Sequence, residues 1–337
     1  MYPLRICFVV SSFSVGSAHL RGVQVSNALV RLGIDSQVHS WLEFEEDAAL
    51  HLSGFDVYLF VKEWNHDIAL KIKNDTNCKV VLDILDNYLL HDRLIRRDSK
   101  YELIDALIVS NTHHKIALHC LGFGVTKPIW VIPHHHTNFH CWANNTAKPV
   151  QCIGFQGDIT NRLPEELEQD LRDFCNSRGM KWRAFYTHTT QESCAHLSPT
   201  EINTVIHEQL RSIDIGIIFP PVLPDGITGV DERVWRYLLF KPATRLINFF
   251  SHGIPTICYP YVSFLEACVD SGYSLFCCDK KSLFRLLEQL VIDGTQRQLA
   301  AEQGMTIASK YSLDRIIPAY YTHLSSLDSA RDEDSRL

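Results

Sequence analysis

Basic side chains in the segment KPATRLINFFSHG have the type and spacing of an anion site. Pro242 suits the first turn of a helix, and Gly253 suits the position just after its last turn. At about 100° per residue, four polar residues share one face of this helix: Lys241, Arg245, Asn248 and His252. A helix N-terminus flanked by basic side chains favours anions such as a diphosphate. The segment therefore predicts a phosphate site, and the alternative is an ordinary amphipathic helix with a solvated basic face.

The segment SSFSVGSAHLRG joins a strand pattern to a helix pattern through small residues. Gly16 in such a loop lets backbone N–H groups approach a substrate or a phosphate closely. We expect Ser14, His19 and Arg21, which flank this glycine, to face the bound molecule. The loop lacks the spacing GxGxxG, so a dinucleotide fingerprint is absent, and a plain strand-to-helix turn is the alternative.

The seventeen histidines include the run His134–His136, followed closely by His140. Adjacent side chains of a strand point in opposite directions, and no carboxylate accompanies these histidines at helical spacing. The zinc motif HExxH is also absent, so we expect no metal site. We expect a hinge turn after a strand, with His134 reaching the ligand site, and a plain surface loop is the alternative.

The candidate site residues must be positioned by strands and helices, and the sequence contains short apolar runs that alternate with helical patterns. Six runs in the first half predict strands, over residues 5–10, 35–41, 57–61, 79–82, 106–109 and 129–132. Most of these runs have apolar residues at consecutive positions, which is typical of parallel strands covered on both faces. A helical pattern over 20–32 joins the first two, so the arrangement predicts right-handed crossovers in one parallel sheet.

The same pattern restarts near residue 150. Strands are predicted over 152–156, 181–186, 213–219, 255–259 and 275–278, and helices over 165–178, 244–252 and 282–291, with helical pattern continuing to about 326. The chain therefore belongs to the α/β class. The repeated pattern predicts two doubly wound, Rossmann-like domains, over residues 1–147 and 148–327, that face a central cleft. A charged tail is predicted over 328–337. Ligands of such sheets bind at the carboxyl ends of the strands. We expect the loop between residues 220 and 240 to line this cleft, and a plain connecting loop is the alternative. Its charged residues are Asp225, Asp231, Glu232, Arg233 and Arg236.

Composition excludes several classes of protein. The 337 residues suit about two domains, and the net charge of −7 without any basic block disfavours sequence-independent binding to nucleic acid or anionic membranes. Eleven cysteines without a CxxC motif favour a reduced, cytoplasmic location. The apolar stretch 246–265 contains one glycine and two prolines, so we expect no transmembrane segment. The motifs of nucleophile-elbow hydrolases and P-loop kinases are missing.

Four parts of the chain together resemble the GT-B-fold glycosyltransferases, nearest the retaining family-4-like group. They are the opening strand with its glycine loop and first helix, the pair VVLDILDNY and LIDALIVSNTHH, the segment IWVIPHHHTNF, and the pair SIDIGIIFPP and KPATRLINFFSHGIPTICYP. The last pair is similar to the family's donor-site strand, helix and Gly-x-Pro strand. Of the four parts, it has the most specific resemblance to the family.

The resemblance implies an enzyme that transfers a sugar, as hexosyltransferases do, from a nucleotide-diphosphate sugar to an acceptor. It implies a UDP- or GDP-linked donor, retention of configuration, and neither a metal nor another cofactor. The acceptor and the oligomeric state are left open. We expect the donor to contact Gly16, Lys241, Arg245, Asn248 and Glu266, the last through its ribose. The alternative role of Glu266 is a charge at the start of a helix. Asp86 takes the place of the polar side chain that follows a strand near the reacting sugar. The alternative role of Asp86 is capping of a helix.

The chain departs from the family pattern at two positions. Many members carry two glutamates eight residues apart around this helix, and here Phe240 and Asn248 stand there. Two alternatives are therefore an inactive GT-B-like binding or scaffold protein, and a nucleotide-sugar epimerase of the same architecture. The resemblance also implies that the last helix crosses back to brace the first domain.

Overall fold

A computed structural model describes residues 4–47, 54–86, 99–120, 127–136, 146–157, 162–186, 199–221 and 239–334. The chain divides into two compact units. The first unit comprises Met1–His134, Leu239–Pro242 and Leu313–Leu337, and the second comprises His135–Leu238 and Ala243–Ser312. The division expected from sequence was a boundary at residue 147, with the last helix crossing back to the first domain.

The first unit is built on a parallel sheet. Its described strands are β1 (Arg5–Val10), β2 (Asp35–Ser40), β3 (Val57–Val61), β4 (Lys79–Asp83), β5 (Ala106–Val109) and β6 (Ile129–Val131). They lie in the order β2-β1-β3-β4-β5-β6, and every pair is parallel. The predicted strands are thus confirmed to within one or two residues. The order reverses between β1 and β3, which is the point where doubly wound sheets bind ligands.

Helices connect these strands. The first begins as a π-helical stretch (Ala18–Val23) and continues as α1 (Gln24–Arg31), and the others are α2 (Trp41–Glu46), α3 (His66–Asp75), a 3-10 turn (Ser99–Tyr101) and α4 (Thr112–Cys120). Local sequence explains their ends. Gly33, with φ of 81°, follows the end of α1. Asn65 accepts hydrogen bonds from two backbone N–H groups at the start of α3.

A capping box begins α2, and it gives a simple stability prediction. The Ser40 hydroxyl accepts from the Glu43 N–H, and the Glu43 carboxylate accepts from the Ser40 N–H. We expect Ser40→Ala to lower the free energy of unfolding by about 1 kcal/mol, because one N–H loses its partner. Chemical denaturation measures this, and Ser325→Ala is the control, because the Ser325 hydroxyl donates to a carbonyl within its own helix and caps no N–H group. An equal loss in both variants would contradict the capping role.

The core of the first unit has two layers, one on each face of the sheet. Ile6, Phe8 and Val10 of β1 face one layer, and Cys7 and Val9 face the other. The first layer also contains the last helix, α11 (Leu313–Asp334). Its contributing residues are Leu313, Ile316, Ile317, Tyr320 and Leu324. This helix packs with the first unit and continues to Asp334, where a separate tail from residue 328 was expected.

The second unit contains a smaller parallel sheet. Its described strands are β7 (Cys152–Gly157), β8 (Lys181–Tyr186), β9 (Ile215–Ile218) and β10 (Thr256–Cys258), in the order β10-β9-β7-β8. All pairs are parallel, as predicted. The predicted strand over 275–278 is wrong in extent, because only a single bridge joins Cys258 to Phe276.

Helices pack on this second sheet. They are α5 (Glu165–Asn176), α6 (Pro199–Arg211), α7 (Thr244–Ser251), α8 (Val262–Cys268), α9 (Lys280–Ile292) and α10 (Gly294–Ser309). Gly216 of β9 lets α7 approach the sheet, because a Cβ atom there would lie 2.7 Å from the Phe249 ring. Throughout the described part of the chain, each helix is too short or too polar to cross a bilayer.

Candidate functional site

Arg245 is held at the carboxyl end of β7. The residue is the second of α7, and only 9% of its surface is exposed. Its Cζ atom lies 5.0 Å from the centroid of the Phe155 ring, a cation–π distance. A Cβ atom on Gly157 would lie 2.8 Å from the Arg245 Nη2 atom, so glycine leaves the room that the guanidinium occupies. Phe155 and Gly157 thus fix a cation at the edge of the sheet where ligands bind.

The N-terminal end of α7 adds positive potential beside Arg245. Ala243 precedes the helix, no side chain caps it, and its first turn contains no acidic residue. The Thr244 hydroxyl in this turn is buried without a hydrogen-bond partner among the described residues. Partial positive charge from the backbone N–H groups therefore adds to the charge of the guanidinium. The arrangement suits a phosphate group.

Lys241 lies elsewhere than the sequence predicted. Because α7 begins at Thr244, Lys241 is outside the helix that was expected to carry it, and the residue belongs to the first unit. The neighbouring Phe240 is buried, and its ring centroid lies 4.4 Å from that of His114. This packing fixes the segment Leu239–Pro242 on the first unit, where the Lys241 Nζ atom lies 3.8 Å from Asp86 Oδ2.

Asp86 follows β4 and is paired with two lysines. Its Oδ1 atom lies 3.1 Å from the Lys62 Nζ atom, and its other oxygen, Oδ2, is the atom near Lys241. Burial raises the pKa of Asp86, but the charges of Lys62 and Lys241 outweigh burial and hold this pKa below its ordinary value. The carboxylate is therefore ionised at neutral pH.

The loop after β1 is largely exposed. The Ser14 hydroxyl lies 2.9 Å from that of Ser12. A Cβ atom on Gly16 would meet nothing within 4 Å, so no described atom requires glycine there. His19 is half-buried, and burial lowers the pKa of its imidazole. This histidine is therefore neutral at pH 7.

Arg21, which we expected to face a ligand, is instead fully buried. Its Nε and Nη2 atoms lie 2.7 and 2.6 Å from Asp83 Oδ2. Its Nη1 atom donates to the carbonyls of Ile132 and Pro133, at 3.1 and 2.9 Å. The Cζ atom lies 5.2 Å from the centroid of the Tyr320 ring. Arg21 thus joins the first helix, the ends of β4 and β6, and α11. No local sequence pattern indicates this pairing, because Asp83 directly follows a predicted apolar strand.

The remaining predicted residues lie in separate places. Asn248 is buried on α7, and its carbonyl accepts from the His252 Nδ1 atom at 2.8 Å. Glu266 lies on α8. The pKa of Tyr311 is raised to about 12, mainly by burial of its phenol and to a smaller extent by the negative charge of Glu266. His134 is buried just after β6. The loop residues from Asp225 to Arg236, and His140, lie outside the described residues.

Comparison with known proteins identifies the class of fold. No family model matches the chain, and no curated protein matches its sequence. Solved structures do match, and they show the fold of the GT-B glycosyltransferases, so the predicted two-domain Rossmann-like architecture is confirmed.

Three of the similar structures span nearly the whole chain. A sucrose-phosphate synthase from Thermosynechococcus elongatus is 11% identical, with a TM-score of 0.68 over 97% of this chain and 100% of that one. HepE from Anabaena, solved with UDP and glucose, is 12% identical, with a TM-score of 0.64 over 96% and 100%. An apo structure of OtsA is 12% identical, with a TM-score of 0.57 over 95% and 99%.

Proposed function

We propose that this protein is a glycosyltransferase that moves a sugar from a nucleotide-diphosphate donor to an acceptor. The observation that carries the proposal is the buried guanidinium of Arg245 at the carboxyl end of β7, beside the uncapped start of α7. In the GT-B fold, an anion site at this sheet edge suits the diphosphate of a nucleotide sugar. The HepE structures with UDP and with UDP-glucose support UDP-linked sugars as the first donors to test.

The chemistry that these residues supply is stabilisation of a leaving anion. As the bond between the sugar and the diphosphate breaks, negative charge develops on the phosphate. In this proposal, the guanidinium of Arg245 and the N–H groups at the start of α7 stabilise this charge. A departing phosphate can itself accept the proton of the acceptor hydroxyl, so transfer with retention needs neither a protein nucleophile nor a metal ion.

The other predicted residues take supporting roles in this proposal. Glu266 binds the ribose hydroxyls, Asn248 supports the donor from within α7, and Gly16 lets its loop approach the donor. Asp86 places a fixed negative charge near the reacting sugar. The acceptor side is assigned to residues of the first unit: Ser14, His19 and His134. Arg21 leaves this group, because it is fully buried in its ion pair.

Replacement of Arg245 tests the donor site directly. We expect Arg245→Ala to raise the Kd for UDP about 10- to 150-fold, because a charged hydrogen bond to phosphate contributes about 1.5–3 kcal/mol. Isothermal titration calorimetry of the full chain measures this, with UDP, GDP, ADP, TDP and CMP compared, each with Mg²⁺ and with EDTA. Arg285→Ala, on the exposed face of α9, is the matched control. Equal affinity for UDP in the wild type and in Arg245→Ala would refute the proposed donor site.

The same protein distinguishes the two alternatives. Asn248 and Phe240 stand where many family members have glutamates, and this observation favours a protein that binds a donor without transferring its sugar. Tight nucleotide binding without any loss of the nucleotide sugar, over a panel of acceptors, would support that binding protein. Conversion of the donor without an acceptor would support an epimerase. Transfer insensitive to EDTA would support the metal-free transferase.

A further inference from the structure

A cavity with aromatic and polar walls lies between α5 and β8 in the second unit. Its volume is about 370 Å³, within the range of small-molecule sites. The residues that line it are Glu168, Arg172, Asn176, Trp182, Ala184 and Tyr186. The three helix residues are spaced four apart and the three strand residues two apart, so each set shares one face of its element. The cavity is thus a groove between one stripe of a helix and one face of a strand.

The strand wall of this cavity has two aromatic rings with a small residue between them. Trp182 and Tyr186 are half-buried, and Ala184 separates them. At about 3.3 Å per residue, the two aromatic residues lie about 13 Å apart along β8. The methyl group of Ala184 fills little of the space between their rings. The wall therefore presents aromatic surface on both sides of a gap that suits one further ring.

The helix wall supplies hydrogen-bonding groups. The Glu168 carboxylate accepts from the Arg172 Nη2 atom at 2.6 Å and from the Tyr186 hydroxyl at 3.0 Å. Burial alone would raise the pKa of Glu168, but the hydrogen bonds that it accepts, led by the one from Arg172, outweigh burial and lower this pKa. The Arg172 side chain is 55% exposed, and its bond to Glu168 uses one of five N–H groups. This guanidinium can therefore donate to a ligand while it holds the carboxylate.

Contacts within the second unit hold the aromatic wall in place. The Tyr186 ring centroid lies 5.7 Å from that of Phe155, and the Tyr186 hydroxyl is fixed on Glu168. Trp182 packs against the hydrophobic core of the unit. Both rings are therefore oriented before a ligand arrives, which reduces the conformational entropy that binding would cost.

We propose that this cavity binds a saccharide, with one pyranose ring above Ala184 between Trp182 and Tyr186. A pyranose has apolar C–H faces and a rim of hydroxyl groups. The aromatic rings cover the faces, and Glu168 and Arg172 bind the rim. The inference goes beyond the proposed function, because a saccharide site of this kind needs no transfer reaction.

The cavity begins next to the phosphate site and extends away from it. Tyr186 pairs in register with Gly157, and the Phe155 ring contacts both Tyr186 and the Arg245 guanidinium. From there the cavity follows α5 to Asn176, over about two helical turns. We therefore expect the saccharide and UDP to bind at the same time, without competition.

Tryptophan-selective NMR of the full chain locates the ligand. The chain has six tryptophans, so protein labelled with ¹⁵N-tryptophan gives six indole N–H signals, and Trp182→Phe identifies the signal of Trp182. Glucose, galactose, mannose, N-acetylglucosamine, maltose and cellobiose are titrated separately, with and without saturating UDP. We expect at least one of these sugars to shift the Trp182 signal to saturation, without a matching shift of the other signals.

Four variants test the two walls, with the Kd of that sugar as the readout. Trp182→Leu should raise the Kd about tenfold or more, because an aromatic face is lost. Ala184→Leu should abolish binding, because it fills the gap and keeps both rings. Arg172→Met should raise the Kd about two- to tenfold, because it removes a hydrogen-bond donor. Arg183→Met, exposed on the opposite face of the same strand, is the matched control and should leave the Kd unchanged.

Thermal unfolding shows which variants fold. Arg172 and Arg183 are both exposed, so the comparison of their variants holds even where Trp182→Leu or Ala184→Leu does not fold.

Each outcome decides a separate question. If none of the six sugars gives a saturable shift of the Trp182 signal, the inference is refuted, and UDP binding decides the proposed function by itself. A shift that UDP abolishes would also overturn the inference, because the cavity would then belong to the donor site. Equal affinity in Arg172→Met and Arg183→Met would show that the sugar binds elsewhere. Sugar binding in the cavity of a protein that binds no nucleotide would leave the inference standing and refute the proposed function.

Discussion

Arg21→Met is expected to lower the free energy of unfolding of the first unit by about 3–5 kcal/mol. The substitution leaves the Asp83 carboxylate fully buried without its cation, which is the costly way to break a buried pair. The Ile132 and Pro133 carbonyls also lose their donor. Hydrogen exchange of the β4 amides in low concentrations of urea measures this loss within the first unit.

Two further variants make this prediction specific. Arg5→Met removes a similar pair with Asp35, but both of its side chains are about 40% exposed, and we expect a loss of only about 0–1 kcal/mol. The double variant Arg21→Met with Asp83→Leu removes both charges, so it should recover most of the stability lost in Arg21→Met. Equal effects of Arg21→Met and Arg5→Met would show that burial of the pair is unimportant.

Acid is expected to destabilise the second unit through His252. Only 1% of this residue is exposed, and burial, with smaller contributions from His207, His136 and Arg211, lowers the pKa of its imidazole to about 4. The Nδ1 atom must donate to the Asn248 carbonyl, so Nε2 accepts from His207 Nδ1; both distances are 2.8 Å. Protonation of Nε2 would break this contact between two neutral rings.

The sign of this pH dependence follows from whether the folded or the unfolded state binds more protons. Between pH 6.5 and about 4, the unfolded chain protonates His252 and the folded chain does not. The stabilisation is therefore complete above pH 6.5 and is lost progressively as the pH falls toward 4. From these two pKa values we expect a loss of about 2 kcal/mol at pH 5 and about 3 kcal/mol in full.

His252→Gln tests this dependence against the wild type. The variant should lose stability at pH 7.5 but should fall less steeply than the wild type between pH 7.5 and 5, as measured by urea denaturation. His136 and His207 also have lowered pKa values, so both proteins keep some slope of the same sign. His119→Gln, at an exposed position on α4, should leave the slope of the wild type unchanged. Parallel slopes in His252→Gln and wild type would contradict the assignment.

The sequence by itself determined the two parallel sheets and most of their strands. Strands such as Arg5–Val10 and Val57–Val61 have the predicted bounds, because a strand covered on both faces needs consecutive apolar residues, and these are visible in the sequence. The helix after residue 243 and its end at Gly253 could also be predicted, because helix caps and helical periodicity are local features of the sequence. Arg245 could be found by its spacing from those signals.

Only the tertiary structure decided which charges meet. Lys241 shares a local pattern with Arg245, but the packing of Phe240 on His114 places the lysine on the other unit, at Asp86. Arg21 reads as a polar residue at the start of a helix, but its guanidinium pairs with Asp83 inside the core. Such ion pairs join residues that are far apart in the sequence, and the free energy of each pair depends on its burial. No local sequence pattern therefore predicts them.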